Sequence, residues 1–226
     1  MKRIILALDE IQDINQAIAL VKKVGHLVYA VKIHNLYDKA GPDIVTKLKE
    51  AGAEKVWVDF KLYDIPNTSK LRAGSISADI ISVHASGGVK MMQEAVFSGK
   101  EIFAVTVLTS FSDSEVQQIY NRETNEVVLS LARLAKEAGV SGIVCSPKEV
   151  KMLRKEPEFK DLKLVVPGIR SAGVDTNDQN RISTPFEALK NGADYLVIGR
   201  QITKADDPVA TLLDIDKEIK EFDINQ

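Results

Sequence analysis

The 226-residue chain holds a single cysteine, Cys145. One thiol closes no internal disulfide and builds no multi-cysteine zinc site. Charge of one sign is not in excess: 30 Lys and Arg against 32 Asp and Glu leave a net charge of −2. That balance excludes a general nucleic-acid binder, whose grip needs surplus cations. No apolar run nears the roughly 18 residues of a membrane span. The run after Lys2-Arg3 stops at Asp9, too early for a secretory h-region. These absences predict a cytoplasmic, reducing setting without a membrane partner. A Ser nucleophile elbow is missing, and no His/Asp/Glu cluster has metal-ligand spacing. The composition is 45% hydrophobic and 27% charged, enough apolar matter to exclude a disordered chain.

Short β-branched runs alternate with longer helical patterns throughout. The predicted strands are Ile4–Leu8, Tyr29–Ile33, Val56–Phe60, Ile80–His84, Phe103–Leu108, Gly142–Cys145, Leu164–Val166 and Tyr195–Ile198. Most are continuous apolar runs, the pattern of parallel strands covered on both faces. Amphipathic stretches such as Ile14–Val24, Pro42–Ala51, Thr124–Ala138 and Pro147–Lys155 lie between them. Strand ends recur about every 27 residues, the length of one βα unit. Eight units without a break in composition predict a closed (β/α)8 TIM barrel, one domain over residues 1–226. An open doubly wound sheet would carry a Gly-rich turn after its first strand, and Asp9-Glu10-Ile11 is not one. Extra residues follow strand five (Thr109–Glu123) and strand seven (Gly168–Ser183). Both leave from the end of the barrel where active sites lie, which favours a lid over a plain insertion.

Charges gather at those same strand ends. In Val56-Trp57-Val58-Asp59-Phe60-Lys61, strand alternation turns Asp59 and Lys61 the same way, toward the mouth. Asp9 ends strand one, Lys32 lies near the end of strand two, and Asp64 follows nearby. Isolated pairs of this kind are usually solvated salt bridges. Alternating charges above an apolar interior are desolvated, which raises the weight of a functional reading. A lysine between carboxylates stays protonated, suiting a proton donor rather than a Schiff-base nucleophile. Strand eight ends in Gly199-Arg200 and strand seven in Val166-Pro167-Gly168-Ile169-Arg170. Barrel phosphate sites lie after these strands, where a glycine admits the phosphate to the backbone and an arginine offers a fork of donors. His84 reads as a hydrogen-bonded histidine of the rim, Cys145 as a buried thiol, and Trp57, Met91 and Met92 as packing.

The segment Asp59-Phe60-Lys61-Leu62-Tyr63-Asp64-Ile65-Pro66-Asn67-Thr68 closely resembles the signature of the orotidine 5′-phosphate decarboxylase family. Ala7-Leu8-Asp9, Val83-His84-Ala85, Gly87-Gly88 through Met91-Met92, Val105 through Ser110, Val144-Cys145-Ser146-Pro147, Val166-Pro167-Gly168-Ile169-Arg170, Asp178-Gln179-Asn180-Arg181 and Gly192 through Arg200 extend the resemblance from strand one to strand eight. It implies a homodimeric barrel that converts orotidine 5′-phosphate to UMP and CO2, the last step of de novo UMP synthesis, without metal or organic cofactor. By the same resemblance Lys61 protonates C6, Asp59 lies beside the departing carboxylate, and Lys32 and Asp9 contact the ribose hydroxyls. Asp64 and Thr68 enter the partner's site. Thr109 and Ser110 stand at the pyrimidine-contacting position. Pro167 and Arg170 fall in the substrate-binding turn, Gln179 closes over the phosphate, and Gly199 and Arg200 hold it. In one departure, Ile33 and His34 follow Lys32 where the family usually has a small apolar residue and then glycine. The competing readings are a metal-dependent phosphosugar lyase or synthase on the same barrel, and a catalytically silent nucleotide-binding protein.

Overall fold

The computed structural model describes residues 2–171 and 183–224. Eight parallel strands close into a barrel in chain order, β8 pairing with β1. They are β1 (Ile4–Ala7), β2 (Ala30–Ile33), β3 (Val56–Leu62), β4 (Ile80–His84), β5 (Glu101–Val105), β6 (Gly142–Val144), β7 (Lys163–Val166) and β8 (Tyr195–Ile198). Helices between them pack on the outside. Their ends follow local chemistry: Asp13 caps Ile14–Val24 by accepting from Gln16 N at 2.8 Å, and Gly139 at φ 77° terminates Thr124–Ala138.

Strand alternation separates two apolar clusters. Ile4, Leu6, Val31, Ile33, Val56 and Val58 face outward into the layer shared with the helices. Ile5, Ala7, Ala30, Trp57, Ile80, Phe103, Val144, Val165 and Val197 fill the barrel itself. Trp57 and Phe103 meet edge to face, centroids 5.2 Å apart, and make the interior a solid core. Burial on both faces is why the strands read as continuous apolar runs. The next positions of like parity toward the C-terminal end change character. Ala7 is succeeded by Asp9, Ala30 by Lys32, Trp57 by Asp59, and Ile80 by Ser82 and His84. An apolar plug thus carries a polar cap, and the cap faces the mouth.

Two expectations change. The fifth strand begins at Glu101 and ends at Val105 instead of running over Phe103–Leu108. A charged first residue is tolerated because Lys55, Lys163 and Tyr29 bond its carboxylate. The third strand runs on past Phe60 to Leu62 through an irregularity. In Thr109–Glu123 the chain forms a helix, Asp113–Tyr120, opened by a Ser112/Glu115 capping box. Most of Gly168–Ser183 lies outside the described residues. Its two ends are tied, Ser183 N donating to Gly168 O at 3.2 Å and Arg170 N to Ser183 O at 3.0 Å.

Candidate active site

Lys32 is the centre of the cap. Its ammonium donates to both oxygens of Asp9, at 2.7 and 2.6 Å, and to Asp59 Oδ2 at 3.1 Å. Lys61 Nζ donates to that same Asp59 oxygen at 2.8 Å, and Ser82 Oγ donates to the other at 2.6 Å. Asp59 is 5% exposed. Burial works against its ionisation, but the ammonium groups of Lys32 and Lys61 outweigh it and hold the carboxyl far below the usual carboxylate range. Burial also opposes the charge on Lys32, yet Asp59 and Asp9 raise its pKa above that of an ordinary lysine. The lysine bracketed by two carboxylates is therefore Lys32, while Lys61, among the described residues, pairs with Asp59 and lines the cavity with a partly exposed side chain.

Simple alternation would turn Asp59 and Lys61 the same way. The chain reaches that outcome by another route. Lys61 stands at φ 50°, in the left-handed region, shared among the described non-glycine residues only with Asn121. Such a backbone costs on the order of 1 kcal/mol or more and persists where surrounding contacts hold it.

Two adjoining cavities open at this end. One, of about 250 Å³, is lined by Lys32, Asp59, Lys61, Leu108 and Thr109, with Trp57, Val105 and Val144 as its apolar base. The other, of about 210 Å³, is lined by Gly168, Arg170, Gly199, Arg200 and Thr203. Asp9, Pro167 and Val197 line both. A Cβ at Gly199 would come within 3.2 Å of the Ala7 carbonyl, so only glycine leaves this wall uncrowded. Arg200 Nε lies 3.3 Å from Glu10 Oε1, and Lys204 Nζ is 2.7 Å from Glu10 Oε2. Arg170 is buried, with Nη1 donating to Ile169 O at 2.7 Å.

Asp9, Lys32, Asp59, Lys61, Thr109, Pro167, Arg170, Gly199 and Arg200 thus come together around one opening. Asp64 does not join the lysines. It is exposed, and its Oδ1 accepts from Ile65 N at 2.8 Å. Thr68 is half-buried on the helix Pro66–Ser75, and Ser110 is exposed beyond Thr109. Gln179 lies outside the described residues. The His84 ring forms no hydrogen bond among the described residues; it packs edge-on to Tyr63 at 5.6 Å. Burial, then the Lys61 charge, push its pKa below the ordinary histidine value. His34 is exposed, so its imidazole does not fill the mouth. Cys145, Trp57, Met91 and Met92 are buried as packing groups. Ser82 and Glu10 were missed. A lone hydroxyl at an inward position of Ile80-Ile81-Ser82-Val83-His84 was the available signal for the first.

Residues 2–215 match the model of the orotidine 5′-phosphate decarboxylase / HUMPS family. The chain belongs to this family. Among relatives named orotidine 5′-phosphate decarboxylase, that of Pseudoalteromonas translucida is 42% identical over 231 residues, covering 97% of each chain. That of Actinobacillus pleuropneumoniae is 43% identical, over 96% of this chain and 99% of the relative. A crystal structure of the Lactobacillus acidophilus orotidine 5′-phosphate decarboxylase superposes with a TM-score of 0.80 at 34% identity, covering 97% of this chain and 99% of that one. Family membership fits the observed architecture: the aligned span takes in every strand, and the mouth residues all lie within it.

Proposed function

We propose that this barrel, acting as one unit over its whole length, decarboxylates orotidine 5′-phosphate to UMP and CO2 with neither metal nor organic cofactor. The observation that carries this reading is the Asp9–Lys32–Asp59–Lys61 chain at the edge of an apolar-based cavity. Loss of CO2 leaves the C6 electron pair as a vinylic carbanion. The Lys61 ammonium stabilises that charge and then gives it a proton, and solvent restores the proton to Lys61. Asp59 stands beside the departing carboxylate, and Lys32 keeps Asp59 ionised and placed. Each oxygen of Asp9 and Asp59 already takes an ammonium or hydroxyl proton. A divalent cation there would meet two lysines, which supports chemistry without a metal.

The second cavity suits the 5′-phosphate. Gly199 lets it approach the backbone, Arg200 exchanges Glu10 for the phosphate, and Arg170 and Gln179 complete the grip. Asp9 and Lys32 reach the ribose hydroxyls, and Thr109 and Ser110 the pyrimidine. Binding energy gathered at the phosphate, remote from C6, organises the site for the reaction. Asp64 and Thr68 serve a second copy of the chain in a homodimer. Tyr63 and Ile65, which flank Asp64, are 63% and 66% exposed, and Leu71 on the next helix is 66% exposed. Large apolar side chains left in the open beside an acid suit a self-complementary interface. The reaction belongs to de novo pyrimidine synthesis and so to the cytoplasm. No helix among the described residues is long and apolar enough to cross a membrane. The test is decarboxylation of orotidine 5′-phosphate in EDTA, followed by pyrimidine absorbance. Turnover in the chelator is expected; turnover only with Mg²⁺ would overturn the metal-free reading, and none under either condition would overturn the decarboxylase reading itself.

A further inference from the structure

β4 carries one hydroxyl between its inward-facing Ile80 and His84, and it is fully buried. Ser82 lies opposite the irregular stretch of β3. Val58 pairs with Ile81 and Leu62 with Val83, so Asp59, Phe60 and Lys61 have Ser82 as their sole counterpart. A regular ladder would offer the Lys61 N–H a backbone carbonyl. At φ 50° that N–H donates instead to Ser82 Oγ at 3.0 Å. The same hydroxyl donates onward to Asp59 Oδ1 at 2.6 Å, and Asp59 Oδ2 accepts from Lys61 Nζ at 2.8 Å. The contacts form a closed ring. Serine holds the lysine's backbone and the carboxylate, and the carboxylate holds the lysine's ammonium. A left-handed lysine needs such over-determination, and a bulge that re-aims a side chain is a recurrent device at barrel rims.

We propose that Ser82 is the positioning residue of the decarboxylation. Its hydroxyl fixes the bulged Lys61 backbone and the Asp59 carboxylate as one unit, so that the ammonium meets C6. The inference rests on Lys61 being the proton donor. Ser82 touches no reacting atom; it acts through the two residues it joins. A plain packing role predicts lost stability with kcat preserved, whereas a positioning role predicts a loss in kcat that follows the hydroxyl.

Ser82→Thr and Ser82→Val impose the same volume and differ in the hydroxyl, and Ser82→Ala is the smaller change should valine prevent folding. The readouts are kcat and KM on orotidine 5′-phosphate, with the thermal midpoint alongside. The valine and alanine chains are expected to lose about 100-fold in kcat, the scale of a misplaced catalytic group. KM stays within about threefold, since the phosphate grip is intact. Threonine restores most of the kcat. Equal kcat for the threonine and valine chains, a loss confined to KM, or an alanine chain as fast as the parent overturns the role. A Lys61→Ala control separates the two claims. If it keeps full kcat, the proton-donor reading falls. If it is inactive beside a fully active Ser82→Ala, only the Ser82 role falls.

Discussion

Asp59 at the mouth of the barrel and Glu101 at its floor are built alike. Each is a largely buried carboxylate that receives two lysines. Lys32 and Lys61 reach Asp59 at 3.1 and 2.8 Å, while Lys55 and Lys163 reach Glu101 at 2.9 and 3.0 Å. A hydroxyl completes each set, Ser82 above and Tyr29 below. Both carboxyls are pushed below their ordinary range, burial opposing the shift and the lysines overcoming it. The difference lies in what surrounds them. At the floor, Tyr29 stacks on Tyr195 at 4.1 Å, Lys55 and Lys163 lie over those rings, and Glu101 opens a regular strand. The mouth opens on a cavity lined by Lys61 and bends its strand to φ 50° at that residue. The same charged kit seals the barrel where the backbone is regular and its valences are filled. It is available for chemistry where the backbone is re-aimed toward open space.

This contrast can be broken in several ways. The largest effect is expected from completing the mouth with a second chain, which the floor does not need. Lys61→Ala and Asp64→Ala chains are each expected to be nearly inactive alone. In a homodimer that shares its sites, an equal mixture regains about one quarter of the parent activity, because half the dimers are mixed and each carries one intact site. No recovery after demonstrated subunit exchange would remove Asp64 from the partner's site. Next, Glu101→Gln should leave kcat unchanged and cost about 1 kcal/mol of stability, since Lys55 and Lys163 are partly solvated. That is roughly 3 °C in thermal midpoint. A fall in kcat without a fall in midpoint would erase the division between the two ends. The smallest effect is at His84, whose folded-state pKa is lowered by burial and by Lys61. Below about pH 6.5 the unfolded chain takes up a proton that the folded chain resists. Stability therefore falls as pH drops through that range. His84→Asn should flatten the midpoint between pH 7 and 5, and an unchanged slope would assign it to other groups.

The barrel was legible because parallel strands buried on both faces write themselves as apolar runs at βα spacing. Seven of the eight expected runs overlie the observed strands closely. β5 shifted because its first residue is a glutamate, neutralised by Lys55 and Lys163 from β-ends remote in sequence, and local pattern cannot see such partners. At the site, Asp9 and Lys32 were legible as charges at or near the ends of apolar strands, and Asp59 from strand alternation. Lys61 came to the right place for an incomplete reason. Alternation assumes a regular ladder, and the bulge between Val58 and Leu62 is visible only in the pairing with β4. Ser82 was passed over because a single serine in an apolar strand carries no motif; its meaning lies in a neighbour 23 residues away. His84 was expected to be hydrogen-bonded and instead packs on Tyr63, an aromatic contact that no spacing rule encodes.

The central claim is that the mouth network does the chemistry through the Lys61 ammonium, and Lys61→Ala tests it most directly. Decarboxylation of orotidine 5′-phosphate and affinity for UMP would be measured on the same preparation. The account predicts a kcat lowered by about 10⁴-fold or more, the scale of losing a charged stabiliser together with the proton donor. UMP affinity should stay within about tenfold, because the phosphate side of the site is untouched. A Lys61→Ala chain that keeps even a tenth of the parent kcat would contradict it.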